Sequence, residues 1–572
     1  MIEDVYEPLA RSRDEFKDRF AQLARERFEA LVAASGIDVD ANRRTVREIK
    51  ALKEKAAAAG SRKFWFGLLM TLAFVVAAGA IAVALLRKDA DPSLAQTGLV
   101  VFGVALTFAL ILISPYRKAA AWLADLKRRI DEKMQVAWDE MEPLNARYTW
   151  DITPKLIEAT VPRLAFDPYF TVARLATLKS VYGWDDSFND GKSVIFSQSG
   201  VINGNPFVFG QYLAMSWGTE TYHGTKEISW LDWETDAKGR RRLVRRTQTL
   251  HASVSKPIPV YGEEKVLVYG NEAAPALSFS REPSGLTGSE NGLWGRFKAW
   301  RRLRKLRAFS RNLDDDSEFT LMSNEEFETW FNTMNRDNEV EYRVLFTPIA
   351  QRQMMLLMKD TDVGFGDDFR FRKARKLNFL RSDHLDRAVI DTDPARFRNW
   401  DFDAAAEFFQ TFNETYFKNA YFSLAPLLAI PVYQQTRPES EIWKGVLPES
   451  PSAFWEHEAL ANYHGESHFK HPESITRNIL KTALVSRGEG ESVVAVTAHG
   501  FRGEDRIDYV SVRGGDGNTH DVPVHWTEYL PVANTRNICI TERATPSETF
   551  RQRLSVADVS AARRSIHSYL VR

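Results

Sequence analysis

One cysteine, Cys539, occurs in 572 residues, so no internal disulfide can form and no cage of thiolates can hold a metal. An excess of either charge is also lacking. The 76 Lys plus Arg balance 76 Asp plus Glu, which excludes a surface built throughout for nucleic acid. The signature loops of nucleotide and acyl chemistry are missing as well. No Gly-x-x-x-x-Gly-Lys-Ser/Thr, no Gly-x-Gly-x-x-Gly and no Gly-x-Ser-x-Gly occurs, which removes the phosphate loop, the dinucleotide fingerprint and the nucleophile elbow. No segment of about 20–50 residues repeats, so a solenoid or propeller is not expected.

Apolar material is abundant. Hydrophobic residues make up 44% of the chain and aromatics 12%, enough for packed cores in about three to four domains at this length. Two runs stand apart. Phe64–Leu86 has 23 residues without a charge and Thr97–Tyr116 has 20. As helices these would extend roughly 34 and 30 Å, the thickness of a hydrocarbon layer. Small residues (Gly67, Ala73, Ala77 to Ala80 in the first, Gly98 and Gly103 in the second) allow two such helices to approach closely. Basic residues crowd the outer flanks (Lys53, Lys55, Arg62, Lys63, then Arg117, Lys118 and 127–129), whereas the connector Arg87–Gln96 is charge-balanced with Pro92 for a turn. The positive-inside rule then sets both termini in the cytoplasm and only the connector outside, with two passes through the membrane.

Hydrophobic periodicity divides the remainder. Residues 1–60 read as N-terminal cytoplasmic helices, with Phe16, Phe20, Leu23, Phe28 and Leu31 forming a stripe that Gly36 interrupts. The hairpin occupies 61–118, with spans 64–86 and 97–116, and a membrane-proximal helix follows over 119–150. Val46, Ile49 and Leu52 on one side, and Trp122, Leu126, Ile130, Met134, Trp138 and Met141 on the other, predict a short antiparallel coiled-coil stalk. From Lys192 the period falls to two, so 151–280 reads as a β-rich soluble domain, with Asp236-Ala237-Lys238-Gly239 as a hairpin connection. Residues 281–318 read as a basic aromatic linker and 319–572 as an α+β soluble domain. In the latter, Ser323–Glu326 opens a helix, Val340–Phe346 alternates as a strand, Thr347-Pro348 starts another helix, and Thr545–Glu548 begins a last helix to about Tyr569. The fold class is therefore an α+β soluble region on a transmembrane helical hairpin, with an antiparallel β-rich middle and a helical N-terminal region.

The run FETWFNTMNRDNEVEYRVLFTPIAQRQMMLLM (327–358), placed after a hairpin and a β-rich stretch, resembles a family of uncharacterised bacterial inner-membrane proteins. Members have a two-span hairpin, a cytosolic α+β domain, and an acidic strand, a Thr-Pro and a hydrophobic helix similar to Glu339–Met358. The resemblance implies membrane location and fold, and its motifs are packing signatures that carry no functional residue.

Two constellations invite a chemical reading. Four of the eleven histidines fall within 457–471. On a continuous helix His464 and His468 would share a face, and with His457 and Glu466 would offer ligands to a divalent metal such as zinc. Glu458 or Glu466 would then serve as base for a metal-bound water. Gly465 and Pro472 speak against a continuous helix. The second is WGRFKAWRRLRKLRAFSR (294–311), with eight Lys/Arg and no acidic residue. Trp294, Phe297, Trp300, Arg301, Arg302, Arg304 and Lys305 are its contact residues for anionic lipid head groups, the composition of an interfacial helix. Basic clusters at 240–246 and 370–387 read as solvated faces, or as sites for an acidic partner or phosphate. Cys539, within Ile538–Ile540, reads as core.

The sequence thus favours a non-enzymatic, membrane-anchored cytosolic binding protein, scaffold or sensor, with no cofactor and no catalytic residue. Its partners would be the lipid bilayer and a protein or a second copy of itself, and not nucleic acid. A metal-dependent hydrolase using the 457–471 histidines is the alternative, and an oligomeric hairpin channel or membrane-perturbing effector is a third.

Overall fold

The computed structural model describes residues 7–86, 92–235, 241–288, 292–311, 319–434, 450–488, 490–543 and 545–571. The expected turn at Asp236–Gly239 and the first half of the hairpin connector lie outside them. The described residues are mixed α+β, with a helical N-terminal region and two antiparallel sheets. They form two compact units.

The helical unit contains Gln22–Thr149 and Pro394–Asn413. Gly36, in the left-handed region at φ 68°, ends the Lys17–Ser35 helix. Helices Val39–Leu86 and Pro92–Asn145 then run antiparallel, side by side. At one end Glu140 accepts from Thr45 at 2.8 Å and Asn42 at 3.2 Å, and Lys133 meets Glu48 at 2.7 Å. Midway, Ile49, Ile130 and Ala137 are buried together with Leu52, Ala56 and Met134. Toward the connector Gly98 lies against Ala80 and Ala84, where an added Cβ would meet the Ala80 carbonyl at 2.9 Å, so glycine there sets the helix spacing. Both helices are long and apolar enough to cross a membrane.

The larger unit contains the chain to Ala21, Trp150–Asp393 and Glu414–Arg572. Its seven-stranded sheet comprises β1 (Leu164–Phe166), β2 (Lys192–Ile202), β3 (Asn205–Thr235), β4 (Arg241–Gly270), β5 (Ser278–Arg281), β6 (Phe369–Ala374) and β7 (Leu377–Ser382), in the order β1-β2-β3-β4-β7-β6-β5. The segments 151–280 and 319–572, expected as separate domains, share this sheet: Leu267 pairs with Leu380, and Phe279 with Lys373. The second sheet runs β11-β12-β10-β9-β8, built from β8 (Ile479–Arg487), β9 (Ser492–Arg513), β10 (Thr519–Thr541), β11 (Ser560–Arg563) and β12 (Ile566–Leu570). Cys539 is buried on β10.

Strands β3 and β4 outrun their sheet. Beyond Ala214 they pair only with each other, an arm of about 20 residues per strand, or roughly 70 Å. The β9–β10 hairpin packs on this arm through Ile228, Leu250, Ala252, Val522 and Val524. Gly224 passes over the Pro523 carbonyl, where a Cβ would sit at 2.1 Å. The N-terminal stretch joins the same unit: Phe20 stacks on Phe417 at 4.4 Å, and Tyr421 donates to the Pro8 carbonyl at 3.0 Å.

Two expectations are corrected. Glu339–Leu345 is a helix and not a strand. Asn338 accepts from the Glu341 amide at 3.0 Å to cap it, and Glu339, Tyr342 and Leu345, three residues apart, are its buried positions. The last helix, Glu548–Val556, stops well before Tyr569, because Ser560–Arg563 and Ile566–Leu570 form the β11–β12 hairpin instead.

The Glu339 helix also completes a buried charge cluster. Arg336 is held between Glu328 at 2.8 Å and Glu339 at 2.6 Å, under the rings of Phe319 and Tyr342. Arg336→Leu would leave Glu328 buried without a cation and Glu339 with only Arg343 at 3.7 Å. It is expected to cost about 3–5 kcal/mol, read as a lowered urea midpoint of the full-length, detergent-solubilised protein, whereas Arg352→Leu, on an exposed position, should change stability by no more than about 0.5 kcal/mol.

Candidate functional site

A helix over Leu293–Arg311 carries the basic aromatic segment. With 3.6 residues per turn, a step of three falls about 60° short of a full turn. The apolar residues spaced by three therefore rotate around the helix instead of lining one face. The later ones, Leu303, Leu306 and Phe309, turn inward with Gly295 and Ala299. The earlier ones stay outside: Trp294 is 79% exposed, Phe297 50% and Trp300 54%, beside the fully outward Leu293. Their rings form a continuous strip, Trp294 edge-on to Phe297 at 6.4 Å and Phe297 stacked on Trp300 at 6.0 Å, with the Arg304 guanidinium 5.6 Å over Trp300.

The cations divide in the same way. Arg302 does not belong to the contact surface expected of it. Its side chain turns inward and donates to the carbonyls of Thr329 at 3.1 Å and Ser284 at 3.3 Å. Burial lowers its pKa. Arg307 is matched by Glu325 at 2.6 Å. Arg296, Lys298, Arg301, Arg304 and Lys305 are exposed and meet no carboxylate among the described residues. The outer face is thus an aromatic strip set among five unmatched cations. Leu293, Arg296 and Lys298 belong to it, although the composition argument did not single them out. Beside the helix, Trp300, Leu303 and Trp330 line a groove of about 470 Å³ whose rim carries Glu326 and Lys359.

The histidine segment has a different character. The Phe454–His464 helix lies between the two sheets. Trp455 and Ala459 enter the core with Phe170, Trp184 and Val266, while Leu460 and Ala461 enter the other core with Val494, Val496 and Ile538. Apolar demand from both sides leaves the polar residues of this helix buried, and both glutamates are answered. Glu456 accepts from the Phe170 amide and Ser197 at 2.9 Å and from Arg564 at 2.9 Å. Glu458 accepts from Asn189, the Val194 amide and Lys481, and burial raises its pKa.

His457 stands 2.9 Å from Ser452, whose hydroxyl donates to Glu542. The serine proton therefore points away from the imidazole, the reverse of a general-base relay. His464 bonds Ser568 at 2.7 Å and ends its helix, because Gly465 takes φ 104°. His468 consequently sits on a separate 3-10 turn, Glu466 accepts from Asn478 at 2.8 Å, and His471 accepts from the Glu473 amide. Among the described residues no group of three His, Cys, Asp or Glu side chains is gathered as a metal would require.

In comparisons with protein-family models, with curated proteins and with solved structures, nothing matches this chain.

The buried histidines make stability pH-dependent. Burial pushes His457 down to about 4 from an ordinary 6.5. Its folded pKa is depressed, so the unfolded chain binds the proton first. The stabilisation is complete above about pH 6.5 and is lost as the pH falls toward 4. At pH 5 this one group should cost about 2 kcal/mol relative to pH 7. Urea midpoints measured at both pH values should show that loss in the full-length protein, and His457→Gln should shrink it.

Proposed function

We propose that this chain is a membrane-anchored binding protein, a scaffold or sensor, whose helical hairpin crosses a bacterial inner membrane twice and whose outward basic aromatic helix contacts anionic lipid at the cytoplasmic face. The observation that carries the reading is the composite outer surface of Leu293–Arg311. Exposed tryptophan and phenylalanine suit the headgroup boundary, and unmatched Arg and Lys suit its negative potential.

Three features support the anchor. The most apolar windows of the two long helices are only 17% and 11% buried, against the near-complete burial of a core helix. The threonine hydroxyls within or beside them, Thr71, Thr97 and Thr107, each donate to the carbonyl four residues back, at 2.8–3.0 Å, which satisfies these donors without water. Basic side chains also close over aromatic rings at the end away from the connector, Arg62 over Trp122 and Lys63 over Tyr116, as at a membrane interface. Binding, and not catalysis, is favoured because His457 and His464 are taken up by serine hydroxyls and His468 lies on a separate turn.

A fluorophore sensitive to polarity, attached at Phe297→Cys in a Cys539→Ser background, tests the contact in proteoliposomes. Its emission should shift to the blue in vesicles containing phosphatidylserine relative to phosphatidylcholine alone. Charge reversal of Arg301, Arg304 and Lys305 should abolish the shift, each cation being worth about 1 kcal/mol at such a surface, and Arg307 reversal should not. Emission indifferent to lipid charge would overturn the lipid contact, and release of the protein by alkaline carbonate would overturn the anchor.

A further inference from the structure

A cleft of about 760 Å³ lies over the seven-stranded sheet, on the face formed by β5, β6 and β7, beneath the turn Gly183–Asp190. Strand alternation builds it. Phe369, Phe371 and Lys373 of β6 are buried on the far face, which leaves Arg370 and Arg372 on this one. On β7 the residues directly opposite them are Arg381 and Phe379. Arg375 projects from the two-residue β6–β7 turn at φ 56°, and Lys192 enters from β2.

Two of these cations are already matched. Arg370 meets Glu282 at 2.7 Å, and Arg381 meets Glu264. Arg281, at the floor, is spent on Asp367, the Phe369 carbonyl and the Phe369 ring. Arg372, Arg375 and Lys192 have no carboxylate among the described residues. Arg372 rests 5.8 Å over Phe379, and Lys192 sits over Phe188 at 4.2 Å and Tyr212 at 4.7 Å. Of the remaining acids at the cleft, Asp185 is committed to the Ser187 amide, and Asp190 also lines the neighbouring cavity with Lys481 and His499. Burial lowers the pKa of Lys192, and Arg381 and Arg372 lower it further, with Glu264 opposing. Lys192 stands close enough to Arg372 and Arg381 for repulsion, and an anion between them would relieve it. Phe188 and Phe379, 5.1 Å apart, supply an apolar wall at the same place.

We propose that this cleft is a binding site for a small ligand bearing two or more phosphate groups, held by Arg372, Arg375 and Lys192 with its remainder against Phe188 and Phe379. Three cations without a carboxylate partner, of which Lys192 also donates to the Phe188 carbonyl at 2.9 Å, exceed what a single phosphate needs, and the volume is that of a site for a small molecule. No residue of the membrane-contact helix takes part, so this inference stands or falls apart from the lipid reading.

The test is calorimetric titration of the full-length, detergent-solubilised protein with inorganic phosphate, pyrophosphate, a nucleoside triphosphate and an inositol polyphosphate as probes. Pyrophosphate should bind more tightly than phosphate, with affinity falling as salt rises. A nucleotide that outbinds pyrophosphate would assign the aromatic wall to a base, and an inositol polyphosphate that outbinds both would assign the site to a lipid head group. Arg372→Gln and Arg375→Gln, at exposed positions that leave the core untouched, should each weaken binding about tenfold or more, and Arg372→Lys by less. Lys192→Gln should do the same if it folds, which its circular dichroism will report. The proposal is overturned if no multiply charged phosphate binds, or if affinity is unchanged in the Arg372 and Arg375 variants.

Discussion

The larger unit depends on the burial of one short helix, Phe454–His464, between two sheets. A helix with a single apolar stripe can serve one core. This one serves two, with Trp455 filling the first and Leu460 the second. The faces left over must then be polar and still dry, and Glu456 and Glu458 occupy them with almost no exposure. A buried carboxylate is costly unless it is fully answered. Amides, hydroxyls and cations supply the answer from β2, β8 and the β11–β12 turn: Val194, Ser197, Lys481 and Arg564. The electrostatic requirement of one helix thereby fixes where elements distant in sequence must lie.

That helix also marks the limit of what the sequence reveals. Periodicity reports how one element meets one environment. It served well for the charge-free runs at 64–86 and 97–116, for the alternating strands and for the break at Gly36. It misled at Val340–Leu345, where alternation coincided with a cap at Asn338 and a three-residue inward spacing. It could not show that β6 and β7 complete a sheet begun at Leu164, some 200 residues earlier, because strand pairing leaves no local trace. The histidines of 457–471 looked like ligands because their density was visible and their partners, Ser452 and Ser568, were not. For the basic helix, composition revealed the chemistry of the surface, but only the geometry could separate Arg302 from Arg301 and Arg304.

A net charge of zero conceals strong local segregation. Acids are concentrated where they hold the fold: Glu328 and Glu339 around Arg336, Glu456 against Arg564 and Glu458 against Lys481. Cations without a carboxylate among the described residues stand beside aromatic rings at the outer face of Leu293–Arg311 and in the cleft over β6 and β7. Both combine unmatched guanidinium or ammonium groups with aromatic rings, an arrangement that favours anions with an apolar part over simple salts. Structural charges and recognition charges are thus kept apart on the same chain.

The packing of Phe20 on Phe417 and of Tyr421 on the Pro8 carbonyl carries a topological consequence. Residues from both ends of the helical hairpin are built into one body: the stretch before Ala21 and the chain after Trp150. A polypeptide whose two flanks are stitched into a single folded mass can pass through a barrier only an even number of times between them. For a hairpin inserted in a membrane, parity of crossing would therefore be written into the aromatic core itself, independently of the flanking charges. An arrangement that put its two flanks on opposite sides would have to unmake that core.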